Sequence, residues 1–200
     1  MNDGVEFLSA GIKAELINEH LEYAGIRSHL SGNIGGATFS LQIDIGFGDK
    51  IVPGPVDVDF PTLLDFPVPH LQIYSLESAV AEKFEAIVKL NYLTSRMKDF
   101  YDIHFLASRH SFKNLILRKA LITTFKERRT NIDDRRNIFN DNFHRDNRMN
   151  TLWKAFLKRQ RIENTLSFTE VVVRLYDFID PILESEKAVR RWDPDKWQWR

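Results

Sequence analysis

The chain has 200 residues, 43% of them hydrophobic and 28% charged, with 28 Lys and Arg against 28 Asp and Glu. That composition suits one domain or a compact pair with a real apolar core, and excludes a disordered chain. No cysteine is present, which excludes disulfides, thiolate metal sites, iron–sulfur clusters and a thiol nucleophile.

The first residues lack the basic-then-apolar order of a signal peptide, and no apolar run approaches the ~18 residues of a membrane span. The expectation is a cytoplasmic protein with no membrane partner. The even charge balance conceals a gradient. Residues 1–112 carry 8 basic and 15 acidic side chains, residues 113–161 carry 14 and 5, and the remainder 6 and 8. The basic middle is either a footprint for phosphates of a nucleotide or RNA, or a solvated helix face.

In chain order, Ile12, Leu16, Ile17 and Leu21 recur at helical spacing, which predicts a helix over 11–23. From Ala37 to Phe47, Phe39, Leu41, Ile43 and Ile45 alternate with Thr38, Ser40, Gln42 and Asp44, the period of a strand. Gly35-Gly36 reads as the turn into it. Five prolines from Pro53 to Pro69 exclude a helix there, and Leu71–Tyr74 reads as a short edge strand. From Ser75, a plausible N-cap, the period turns helical. Helices are predicted to Leu93, over Met97–Ser108 and Lys113–Arg129, and in the stretches 134–142 and 150–159. Ser167 and Glu170 form a capping-box pattern opening a last helix, bent or restarted at Pro181. Trp192, Trp197 and Trp199 then sit among charges, so the tail is expected on the surface with its rings docked. The order is α+β, with strands and turns over 1–73 and helices over 74–200.

Four side chains carry the chemical possibilities. Asp44, on the polar face of an apolar strand just before a glycine turn, is either a hard-cation ligand or a solvent-facing carboxylate. Lys83 falls inside the apolar stripe of Leu76, Val80, Phe84, Ile87 and Leu90, with Glu82, Glu85 and Lys89 on the wet side. Its ammonium either snorkels out or points into a site, where it needs an anionic partner. Asp99 and Asp102, three apart on one helix face, are candidate partners, or else a cap and an ordinary salt bridge. The six histidines show no paired-ligand spacing, no P-loop is present, and Asp57-Val-Asp59 in its proline-rich loop reads as a coincidental pair.

Taken together and in order, Leu41-Gln-Ile-Asp-Ile-Gly-Phe-Gly-Asp49, Pro61-Thr-Leu-Leu-Asp-Phe-Pro67, Ala81-Glu-Lys-Phe-Glu-Ala86 and Arg96-Met-Lys-Asp-Phe-Tyr-Asp-Ile103 resemble the AbiEii/AbiGii-type nucleotidyltransferase toxins. Segments around Tyr23–Arg27, Trp153–Leu157 and Phe168–Val172 are similar to that family as well. The resemblance implies a polymerase-β-like nucleotidyltransferase core followed by a helical half. It implies a bacterial toxin–antitoxin or abortive-infection role, with a nucleoside triphosphate and Mg2+ as cofactors and a cognate antitoxin, tRNA or other RNA as partners. On that pattern Asp44 matches a metal-cleft carboxylate, Lys83 the lysine that meets the nucleotide phosphates, and Asp99, with Asp102 beside it, the acidic residue of the last motif. The family's Gly-Gly/Ser element and Asp-x-Asp pair, which would stand before the 38–45 strand, have no counterpart here. Two-metal phosphoryl chemistry needs those carboxylates. The expectation is therefore a chain short at its N-terminus, inactive alone, and self-associating through open strand edges. The alternative is a non-catalytic module that binds an antitoxin, RNA or a sister chain.

Overall fold

A computed structural model describes residues 4–17, 25–48, 50–163, 166–184 and 188–200. The fold is α+β, as the sequence order implied. It divides into two compact units, Met1–Asp49 and Lys50–Arg200. The short hairpin before Ser75 thus groups with the helices, where the sequence had placed the change at 73/74.

The first unit is an antiparallel meander of β1 (Val5–Ile17), β2 (Gly25–Ile34) and β3 (Ala37–Gly46), with β2 in the middle. Gly35 and Gly36 join β2 to β3 with φ of 53° and 84°, the two positive values that a tight two-residue hairpin requires. Alternation on β3 puts Leu41, Ile43 and Ile45 opposite Leu30, Ser28 and Ile26 on one face. Gln42 and Asp44 lie on the other. Gly32 lets the rings of Phe7 and Phe39 meet over it edge to face at 5.9 Å; a Cβ there would fall 2.5 Å from the Phe39 ring.

The helix expected over 11–23 is overturned for its first seven residues, which belong to β1; residues 18–24 lie outside the described residues. A register shift between Leu8 and Lys13 resets the phase of β1. Beyond it Ala14 and Leu16 pair with Ser28 and Ile26, while Lys13 and Glu15 pair with His29 and Arg27. Apolar residues at 12 and 16 fit both a helical step of four and a strand step of two. Ladder pairing with β2 decides between them.

The second unit opens with a hairpin of β4 (Val56–Asp59) and β5 (His70–Ile73). Asp57 accepts from Gln72 Nε2 at 3.1 Å and Asp59 meets His70 Nδ1 at 3.0 Å, so both carboxylates serve cross-strand pairs. Helix α1 (Leu76–Leu90) begins at Ser75, whose hydroxyl accepts from Ser78 N–H and donates to Val52 C=O. There follow α2 (Met97–Arg109), α3 (Asn114–Glu127), two short helices α4 (Arg135–Ile138) and α5 (Asp141–His144), α6 (Asn147–Gln160) and α7 (Phe168–Glu184). The reciprocal bonds of Ser167 and Glu170 form the capping box, and the helix runs through Pro181 without restarting. Among the described residues, no helix is long and apolar enough to cross a membrane.

Helix α1 packs against both α2 and α3, and α7 closes the other side of α2. Between them the rings of Phe100, Phe143, Trp153 and Phe168 interlock at 5.1–6.3 Å. Each is fully or almost fully buried. Burying such a side chain contributes roughly 1.5–3 kcal/mol. The C-terminal hairpin of β6 (Trp192–Asp193) and β7 (Gln198–Trp199) is held by its tryptophans. Indole N–H groups of Trp192, Trp197 and Trp199 donate to the carbonyls of Ala107, Arg174 and Phe178. Trp192 is buried in the core; Trp197 and Trp199 dock as expected.

Candidate functional site

Lys83, Asp99 and Asp102 come together. The stretch Ser75–Leu90 is helical because its apolar residues repeat at helix spacing behind a serine cap, and Lys83 falls at the edge of its buried side. Asp99 enters in the first turn of α2, where a carboxylate is favoured by the helix dipole. The Lys83 ammonium lies 2.7 Å from Asp102 Oδ2 and 3.5 Å from Asp99 Oδ1. Asp99 is 4% exposed and Lys83 26%, so this is a half-buried cluster. Each carboxylate has a second cation. Arg96 Nε stands 2.6 Å from Asp99 Oδ2, and Lys98 pairs with Asp102 one helical turn away.

The cluster borders a cleft of about 270 Å³ lined by Tyr74, Glu82, Lys83, Arg96 and Arg128, among others. Arg128, at the C-terminal end of α3, bridges Glu82 and Glu85 at 3.2 Å each. Glu85, expected on the wet side, is instead 2% exposed, and the Thr130 hydroxyl also donates to it. The reason is that α1 is covered on two sides, by α2 and α3, so its wet face is narrower than a single-stripe helix would leave. Neither Arg128 nor the burial of Glu85 could be read from local pattern, because both depend on how α3 meets α1.

Asp44 belongs to the sheet unit. It receives a two-pronged ion pair from Arg27, Nε to Oδ1 and Nη2 to Oδ2, both at 2.8 Å, and Gln42 Nε2 donates to Oδ1 at 3.1 Å. The Arg27 guanidinium holds the Asp44 carboxyl below its ordinary range, and Asp44 raises Arg27 in return. This partner was within reach of the sequence. A two-residue turn at Gly35-Gly36 pairs Ile34 with Ala37, and counting outward from it places Arg27 opposite Asp44.

The fit to a divalent ion fails on these observations. Both Asp44 oxygens face a guanidinium, and among the described residues no three His, Asp or Glu side chains are grouped to hold a metal. Asp49, the other carboxylate near that strand end, lies outside the described residues. For a triphosphate the cleft supplies cations of the right kind, Lys83, Arg96 and Arg128, already oriented by carboxylates.

A family model described as "Nucleotidyl transferase AbiEii toxin, Type IV TA system" matches residues 2–174. No curated protein and no solved structure matches the chain. The match takes in Asp44, Lys83, Asp99 and Asp102, and ends inside α7, ahead of the tryptophan-bearing hairpin.

Proposed function

The chain belongs to the AbiEii nucleotidyl transferase toxin family of type IV toxin–antitoxin systems, and on that premise we propose that its helical unit carries a nucleotide-phosphate site centred on Lys83. The ammonium, positioned by Asp99 and Asp102, meets the triphosphate oxygens, and Arg96 and Arg128 line the approach. The observation that carries this reading is the Lys83–Asp102–Asp99 cluster at the edge of a cleft with two further guanidinium groups. Each charge-assisted contact contributes roughly 1.5–3 kcal/mol. The four carboxylates of the same region offset much of that, so binding is weak.

Transfer is a different matter. Mg2+ in this family's chemistry would neutralise phosphate charge and activate the acceptor. The described residues give it no clamp, and Asp44 is committed to Arg27. On this reading the chain by itself binds nucleotide without transferring it. It acts in the cytoplasm, with a cognate antitoxin and RNA as its partners. Self-association goes through the sheet unit. There, among the described residues, β1 and β3 pair on one side only, and Phe7, Leu16 and Ile43 are 57%, 60% and 42% exposed.

Isothermal titration with ATP, GTP, CTP and UTP tests the site. At least one triphosphate should bind weakly, with Lys83→Met lowering affinity fivefold or more. Unchanged affinity in that variant would remove Lys83 from the site. Salt-sensitive RNA binding with no nucleotide binding would favour the second reading, a non-catalytic module.

A further inference from the structure

The basic middle of the chain is less available than its charge suggests. Arg128 is bound by Glu82 and Glu85, and Arg135, 4% exposed, by Asp133, Asp180 and Glu184. Arg136 stands near Asp133 and Glu184, and Arg145 pairs with Asp141. Helix α6 differs. From Asn147 to Ile162 the sequence has five basic residues and no acidic one. Its inward side is Met149, Trp153 and Phe156, all buried, with the Trp153 indole bonded to Leu166 C=O. Its outward side carries Lys154, Lys158, Arg159 and Arg161, all exposed. Among the described residues none of these four has an ion-pair partner.

We infer that the outward face of α6 is a contact strip for the sugar–phosphate backbone of a nucleic acid. Lys154 and Lys158 are one turn apart, about 6 Å along the axis at 1.5 Å per residue, and Arg161 follows at the C-cap. Asn147 and Thr151 extend the same face with polar groups. Repeated cations at this spacing match successive phosphates, and such contacts need no shape-matched pocket. A protein hot spot would set aromatic anchors beside such arginines, and the strip carries none. A bilayer would need apolar side chains to insert, and those of α6 point into the core. The bland account, that Lys158 and Arg159 merely complement the helix dipole, leaves Lys154 unexplained and predicts no binding.

This inference rests on the nucleic-acid partner of the reading above and not on its nucleotide site. The probe is a fluorescently labelled 20-nucleotide RNA, with a DNA strand of the same sequence, titrated with the full chain across a salt series. Removing three contacts by K154Q/K158Q/R161Q should weaken RNA binding at least tenfold at 100 mM salt. The log–log salt slope should fall by about 2, at about 0.7 per lost single-strand contact. K113Q/K119Q/K126Q, which removes the same charge from exposed positions at or on α3, should change affinity less than twofold. DNA binding equal to RNA supports a backbone strip that does not read the 2′-hydroxyl, and preference for RNA supports it with that added contact. Equal losses in both triple variants, or an unchanged α6 variant, would overturn it.

Discussion

The two compact units use apolar residues in opposite ways. In the helical unit Phe84, Phe100, Phe143, Trp153 and Phe168 are sealed from water, and neighbouring rings fix one another's positions. In the sheet unit the alternation is equally clean, yet the apolar face of β1–β3 stays roughly half exposed. A pattern that says which side chains share a face does not say whether anything covers that face. The polar face of the same sheet is the better organised one, with Arg27, Gln42 and Asp44 bonded together.

The largest effects should separate the units. Trp153→Ala should cost about 3–5 kcal/mol in urea unfolding, from lost burial plus the cavity it leaves. Ile43→Ala, on the exposed face, should cost less than about 1 kcal/mol. Comparable costs would mean that the sheet face is buried in solution, by a second copy or otherwise.

A pH series sharpens the contrast from within the helical unit. His104 stacks on Trp197 at 5.1 Å with Arg174 Nη1 3.4 Å from its Nε2. Burial, reinforced by the Arg174 charge, pushes its pKa down to about 4 from 6.5. The folded state thus prefers the neutral ring, while the unfolded chain takes up its proton near pH 6.5. This contribution is complete above pH 6.5, declines as pH falls toward 4, and is flat below. His104→Gln should remove that segment of the thermal-stability profile; an unchanged slope would mean that the tail hairpin does not shield His104.

The smallest of these effects concerns the site itself. Breaking a buried pair usually costs several kcal/mol because a charge is left alone. Here Lys83→Met leaves Asp99 with Arg96 and Asp102 with Lys98, so the expected cost is within about 1 kcal/mol. A loss of 3 kcal/mol or more would make Lys83 a folding residue.

Much of this molecule was legible from local pattern. The β3 alternation, the Ser75 cap and the Ser167–Glu170 box follow from spacings of two, three or four, whereas the meeting of Lys83 with Asp99 and Asp102 is a contact between two helices, expected only from the apolar stripe together with the family resemblance. The failures were tertiary. Ladder pairing with β2 made strand of an apparent helix over 11–17, double coverage buried Glu85, and α3 delivered Arg128 to the cleft. Arg27 was a missed inference: the glycine turn had already fixed its register against Asp44.

One assay bears most directly on the proposal that the chain binds phosphates while its described residues form no metal clamp. Purified chain is incubated with each labelled nucleoside triphosphate, Mg2+ and total bacterial RNA, and label is followed into RNA and protein. The expected result is no incorporation above background under conditions where nucleotide binding is measurable. Robust labelling that disappears with Asp44→Ala would contradict it, and would mean that Asp44 leaves Arg27 to hold the ion after all.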